Sequence, residues 1–189
     1  MQTLHGIRFL PIAHVRGTLL GLDARWLGRR GFLVVLLMTL VSLGGPENLT
    51  GGHSAGVQWA HVLVALSTFG AIVLTSLGHE LGHAFAGRVA GLQVRAVVLG
   101  PEGGMTIRSA SDRPHVNLRT ALAGPLANAV FGCLFAALAL WAGPERLAAG
   151  CLSQIAAVQL LTGIVNLLPF GALDGSKIVE SWRACQALA

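Results

Sequence analysis

The chain is 189 residues long, 53% hydrophobic and only 11% charged, with a mean hydropathy of +0.68. That balance excludes an ordinary soluble domain, and once several membrane crossings are counted little chain is left over, so one integral-membrane domain over 1–189 is expected. The net charge of +5 rests on thirteen Lys and Arg spread among short loops between apolar runs, which points to membrane topology rather than to a nucleic-acid surface; no nucleic-acid partner is expected.

In chain order, four apolar segments approach the roughly 20 residues a bilayer requires: 26–45, 57–78, 120–141 and 147–168. The predicted fold is therefore an all-α polytopic membrane protein with about four transmembrane helices. The first segment is the weakest, because its uninterrupted run from Gly31 to Gly45 is short and needs Arg29 and Arg30 to snorkel. Residues before it carry Arg8, Arg16 and Arg25 and make too long a flank for a signal peptide. Between the second and third segments, Leu92–Arg108 sets a Gly-Pro-Glu-Gly-Gly cluster between two β-leaning runs, which predicts a small β-hairpin or loop.

Positive charge sets the orientation. Arg8, Arg16, Arg25, Arg29 and Arg30 precede the first segment; Arg88, Arg95, Arg108, Arg113 and Arg119 separate the second from the third; Lys177 and Arg183 follow the fourth. Twelve of the thirteen basic residues thus share one side, with Arg146 opposite, so the chain is expected to be multi-pass in the cell (plasma) membrane with cytoplasmic N- and C-termini. Trp26, Trp59, Trp141 and Trp182 lie near segment ends, as an interfacial aromatic belt requires. Cys133, Cys151 and Cys185 have no CxxC spacing and read as packing residues.

The second segment runs into His79-Glu80-Leu81-Gly82-His83, an HExxH pattern. On a helix, positions i and i+4 face the same way, so both imidazoles can bind one metal ion. Glu80 is then held beside the open coordination position, where it can take a proton from water that the metal has acidified. Chance would produce this pattern in roughly one such chain in 150, and three such side chains at membrane depth are costly unless they bind something. A third protein ligand is needed, and Asp occurs only at positions 23, 112 and 174. Asp174 lies in Asn-Leu-Leu-Pro-Phe-Gly-Ala-Leu-Asp-Gly (Asn166–Gly175), where Pro169 and Gly171 should interrupt the fourth helix and let irregular backbone line a polar cavity. His5, His14, His53, His61 and His115 have no partner at ligand spacing. Counting back from Arg88 at ~1.5 Å per residue puts the metal roughly 7–14 Å inside the cytoplasmic boundary.

His-Glu-Leu-Gly-His, then Ala-Gly-Pro-Leu-Ala-Asn (Ala123–Asn128), then the Asn166–Gly175 segment, on successive spans, resemble the site-2 protease family of intramembrane zinc metalloproteases. The resemblance implies His79, His83 and Asp174 as ligands of one Zn2+ per chain, Glu80 as catalytic base, and a transmembrane protein substrate met in the lipid bilayer. It further suggests that Asn128 and Asn166 hydrogen-bond the substrate or the developing oxyanion; a helix–helix hydrogen bond is the alternative for both. The Gly103-Gly104-Met105 stretch resembles the family's membrane-associated hairpin, which would present a strand edge to an unwound substrate; an ordinary loop is the alternative. Many family members carry PDZ or CBS modules, and none is expected in these 189 residues. The rival readings are a non-catalytic homologue that binds membrane helices and a small metal-transport protein.

Overall fold

The computed structural model describes residues 2–4, 7–24, 59–100, 103–143 and 147–188. In chain order these form β1 (Gln2–Leu4), β2 (Ile7–Val15), β3 (Thr18–Asp23), α1 (Trp59–Val89), β4 (Val94–Gly100), β5 (Gly103–Arg108), α2 (Pro114–Ala142), α3 (Leu147–Asn166) and α4 (Asp174–Gln186). The strands make one five-stranded sheet in the order β1-β2-β3-β4-β5. All neighbours are antiparallel except β3 and β4, which are parallel, with α1 lying between them in the chain.

The expected all-α, four-span architecture is corrected by this sheet. The first 23 residues supply three strands where the sequence reading assigned no element, and Leu92–Arg108 is a hairpin that forms the far edge of a larger sheet. Two sequence features obscured β2 and β3. Pro11 argues against a strand, but it falls at a bulge, where the ladder is already interrupted. The two-residue turn between them is Arg16-Gly17, with φ of 48° and 80°, a type I′ geometry reached without the usual Asn-Gly or Asp-Gly signal.

The span count is corrected as well. Among the described residues, α2 and the segment Ala148–Asn166 of α3 are the two helices long and apolar enough to cross a membrane. The segment expected at 26–45 lies outside the described residues. The segment expected at 57–78 overlaps α1, which runs from Trp59 to Val89 and carries His79, Glu80 and His83 in its second half. Along α2 and α3, Leu126, Val130, Leu134, Leu140, Trp141, Leu161 and Ile164 are exposed on the protein surface. Such an outward apolar face is a liability in water and the ordinary condition of a helix in lipid.

Strand β4 joins the two layers. Val97 and Leu99 point to one face and, with Val94, pack with Ala84, Val73 and Leu77 of α1 and with Leu20 and Leu22 of β3. Ala96 and Val98 point to the other face, with Phe9, Ile107 and Leu19. The bulge between Val94 and Ala96 is what turns Val94 to the helix side. Arg88, near the end of α1, donates to the Arg16 carbonyl at 2.5 Å and to the Thr18 hydroxyl, which itself donates to the Val94 carbonyl at 3.0 Å. The helix end and the N-terminal hairpin are thereby tied together.

Helices α1 and α2 meet through small residues. A Cβ added at Gly82 would lie 2.5 Å from the Ala123 carbonyl oxygen and 2.8 Å from the Ala127 Cβ, so the helices would have to separate to admit it. At Gly70 of α1 an added Cβ meets nothing within 4 Å. Gly82→Ala is expected to destabilise the fold by about 1–3 kcal/mol through overpacking. Gly70→Ala, which only gains helix propensity, should be neutral or stabilising by up to about 1 kcal/mol. Thermal unfolding of both variants in detergent checks the contrast.

Candidate metal and catalytic site

The i, i+4 spacing on α1 brings His79 and His83 to one side of the helix, with rings 4.7 Å apart in an edge-to-face arrangement. Both are buried, as are Glu80 and Asp174. Asp174 arrives from across the molecule. Helix α3 stops at Asn166, the chain turns through Pro169 and through Gly171 at φ 54°, and α4 begins at Asp174 itself. Its Oδ2 lies 2.8 Å from His79 Nε2 and 3.0 Å from His83 Nε2, and the two Nε2 atoms are 3.1 Å apart.

This triangle fits a divalent cation. Ligands bonded at ~2.0–2.1 Å to a tetrahedral zinc are separated by about 3.3 Å, a few tenths of an ångström wider than the edges found. The hydrogen bonds behind the rings suit the same purpose. His83 Nδ1–H donates to the Thr120 carbonyl at 2.7 Å, leaving Nε2 as a bare lone pair. Behind His79, the Asn128 amide is placed with Nδ2 at 3.1 Å from Nδ1, and its Oδ1 is buried without a partner among the described residues. Turning that amide over lets Nδ1–H donate to Oδ1, which removes the orphan and bares His79 Nε2 as well. His79, Glu80 and His83 also form a group whose ligand atoms all lie within 4.8 Å of one another.

Glu80 is positioned from the sheet. Thr106 of β5 donates through Oγ1 to Glu80 Oε2 at 2.6 Å and also lies 3.0 Å from the Glu80 carbonyl. Gly104 of the same strand lets the carboxylate pass, since a Cβ there would fall 2.3 Å from Glu80 Cγ. The site opens on a cavity of about 600 Å³ whose walls include His79, Glu80, His83, Asn166, Asp174 and Lys177. Asn166 lines that cavity while donating through Nδ2 to the Thr162 carbonyl of its own helix at 3.0 Å. Asn128 is fully buried behind His79, between α1 and α2. Arg108 also lines the cavity, and burial lowers its pKa.

Four residues of the site were not singled out from the sequence. Thr106 and Thr120 had no signal, because each acts through a contact across 26 or 37 residues. Lys177 donates to Asp174 Oδ1 at 3.0 Å, and its i+3 position on a helix beginning at Asp174 was the available clue. Gly124 lies inside the Ala123–Asn128 motif, and an added Cβ would come 2.4 Å from His83 Nε2 and 2.7 Å from His79 Nε2. Gly124→Ala should therefore give a protein with markedly less bound zinc than wild type while the sheet and helices persist. Metal analysis of the purified variant alongside its circular dichroism spectrum checks this.

A sequence model of the Peptidase M50B-like family matches residues 53–173. Among curated proteins, Rip3 of Mycobacterium tuberculosis, by name a zinc metalloprotease, is 33% identical over 183 residues, covering 92% of this chain and 44% of Rip3. The zinc metalloprotease MJ0392 of Methanocaldococcus jannaschii is 26% identical over 148 residues, covering 78% of this chain and 40% of that protein. The chain thus spans less than half the length of the curated relatives it matches. Among solved structures, a site-2 protease from Methanocaldococcus jannaschii superimposes with a TM-score of 0.58 at 21% identity, covering 94% of this chain and 72% of that one, a likeness of fold. With the family match extending over most of its length and through the HExxH helix, the chain belongs to the Peptidase M50B-like family.

Proposed function

We propose that this chain is a membrane-embedded zinc metalloprotease that hydrolyses peptide bonds in or beside the transmembrane segments of other membrane proteins. The observation that carries this reading is the convergence of His79, His83 and Asp174 beside Glu80 on the wall of one cavity, in a molecule whose helices α2 and α3 are apolar outward. The names of the relatives support it.

His79 Nε2, His83 Nε2 and Asp174 Oδ2 would hold the ion, and Lys177 donates to the second carboxylate oxygen of Asp174. Zinc, when held there, acidifies a water molecule and polarises the scissile carbonyl. Glu80 takes the proton from the attacking water and passes it to the leaving amine, and Thr106 fixes the carboxylate for both transfers. Among the described residues strand β5 is an edge of the sheet, and Gly104, Met105 and Thr106 line the cavity. An unwound substrate segment can pair with that edge while its side chains enter the cavity. Asn166 lines the cavity and Asn128 does not, so Asn166 is the nearer of the two asparagines to such a substrate. The distribution of Arg and Lys supports a multi-pass placement in the plasma membrane with cytoplasmic termini and an active site toward the cytoplasm.

Reconstituted wild type, Glu80→Gln and Asp174→Ala, each given a panel of single-span substrates and assayed for metal, test the proposal. Wild type should bind one zinc and cleave. Glu80→Gln should keep the zinc and cleave about 10²–10⁴-fold more slowly. Asp174→Ala should lose the zinc. A Glu80→Gln protein as active as wild type would overturn the assignment, as would a wild type without zinc.

A second expectation concerns Thr106. Removing its hydroxyl in Thr106→Val leaves Glu80 without that donor, so kcat should fall about tenfold or more. Zinc content should stay at the wild-type level, and steady-state kinetics with metal analysis reads both.

A further inference from the structure

Three side chains of the helix bundle are almost wholly buried, with exposures of 2% for Thr75, 0% for Asn128 and 1% for Gln159. Each has an oxygen without a protein partner among the described residues: Thr75 Oγ1, Asn128 Oδ1 and Gln159 Oε1. In an apolar bundle each such orphan is expensive, and three are not scattered by accident if they lie together.

The packing register places them together. Thr75 precedes His79 by one turn on the same face of α1. A Cβ at Gly78 would lie 3.0 Å from the Phe131 ring, so the turn of α1 holding Thr75 faces α2 near Gly132. A Cβ at Gly163 would lie 3.2 Å from the Asn128 Cβ, and one at Gly132 would lie 2.7 Å from the Leu160 side chain. Gln159 sits next to Leu160 and one turn before Gly163 on α3, so it enters the bundle between the levels of Asn128 and Gly132. The three residues thus belong to three neighbouring helices within about one helical turn of one another, and none of them lines the cavity.

Their donors and acceptors balance in one arrangement. If Asn128 turns its Oδ1 to accept the Nδ1–H of His79, its Nδ2 takes the place Oδ1 held and offers two N–H groups. Gln159 Oε1 and Thr75 Oγ1 are two buried acceptors that lack a donor. We propose that Gln159 and Thr75 are positioning residues for the metal site. They take the Asn128 amide hydrogens, directly or through one internal water, and so hold Asn128 in the orientation that keeps the proton of His79 on Nδ1 and Nε2 bare. The network rests on the metal-binding reading above and extends it to two residues that touch neither metal nor substrate.

The test uses the full chain in detergent, with zinc affinity measured by competition against a chelator, the visible spectrum of the cobalt-substituted protein, and thermal unfolding. Gln159→Met and Thr75→Val keep shape and remove the polar atom. Each should weaken zinc about 10–100-fold and alter the cobalt spectrum, without lowering the unfolding temperature. In an Asn128→Ala background neither should weaken zinc further, because the member through which both act is gone. Wild-type affinity in both variants would overturn the network, as would losses that add to that of Asn128→Ala. If wild type itself binds no zinc, the metal-site reading fails and the network with it; if wild type binds zinc and the variants match it, the network alone fails.

Discussion

Bringing two imidazole nitrogens and a carboxylate oxygen within 2.8–3.1 Å of one another is the constraint on which the rest of the structure turns. Lone pairs so close repel unless protons or a cation lie between them, and burial removes the water that would otherwise screen them. The surrounding scaffold compensates from several directions. Thr120 and Asn128 on α2 occupy the far nitrogens of the two rings, Lys177 on α4 occupies the far oxygen of Asp174, and Gly124 leaves room for both imidazoles.

The helices and the sheet divide the remaining work. The helices enclose the polar site and turn apolar side chains outward, while the break after Asn166 lets a residue remote in sequence reach His79. The sheet holds Glu80. Thr106 reaches Glu80 from β5, β4 packs against α1 through Val97 and Leu99, and Arg88 anchors the end of α1 to the N-terminal hairpin. Because β5 is at once a sheet edge among the described residues, a wall of the cavity and the support of Glu80, the proposed substrate strand would lie next to the carboxylate proposed as base.

How much was legible depends on the range of each interaction. His79, Glu80 and His83 could be read directly, because their relation is a local helical one of four residues, and an HExxH pattern carries its own geometry. Asp174 was legible by a weaker route, the scarcity of aspartate and a Pro-Gly break beside it. Helix α3 covers Leu147–Asn166, a continuous stretch whose length and hydropathy the sequence carries by itself. The all-α reading failed where β2 and β3 hide their pairing behind Pro11 and an Arg-Gly turn, and where a strand is stabilised by β4, which follows more than seventy residues later in the chain.

By itself the sequence determined an apolar chain with an HExxH pattern on a helix, since hydropathy and i, i+4 spacing are local properties, and its motifs carried the resemblance to a protease family. Only the tertiary structure decided that Asp174 meets both histidines, that Thr106 holds Glu80, that Asn128 stands behind His79 and that a mixed sheet caps the bundle. The side-chain pairings join residues 26 to 95 positions apart. They arise from helix packing and strand register, which no local pattern of residue types encodes.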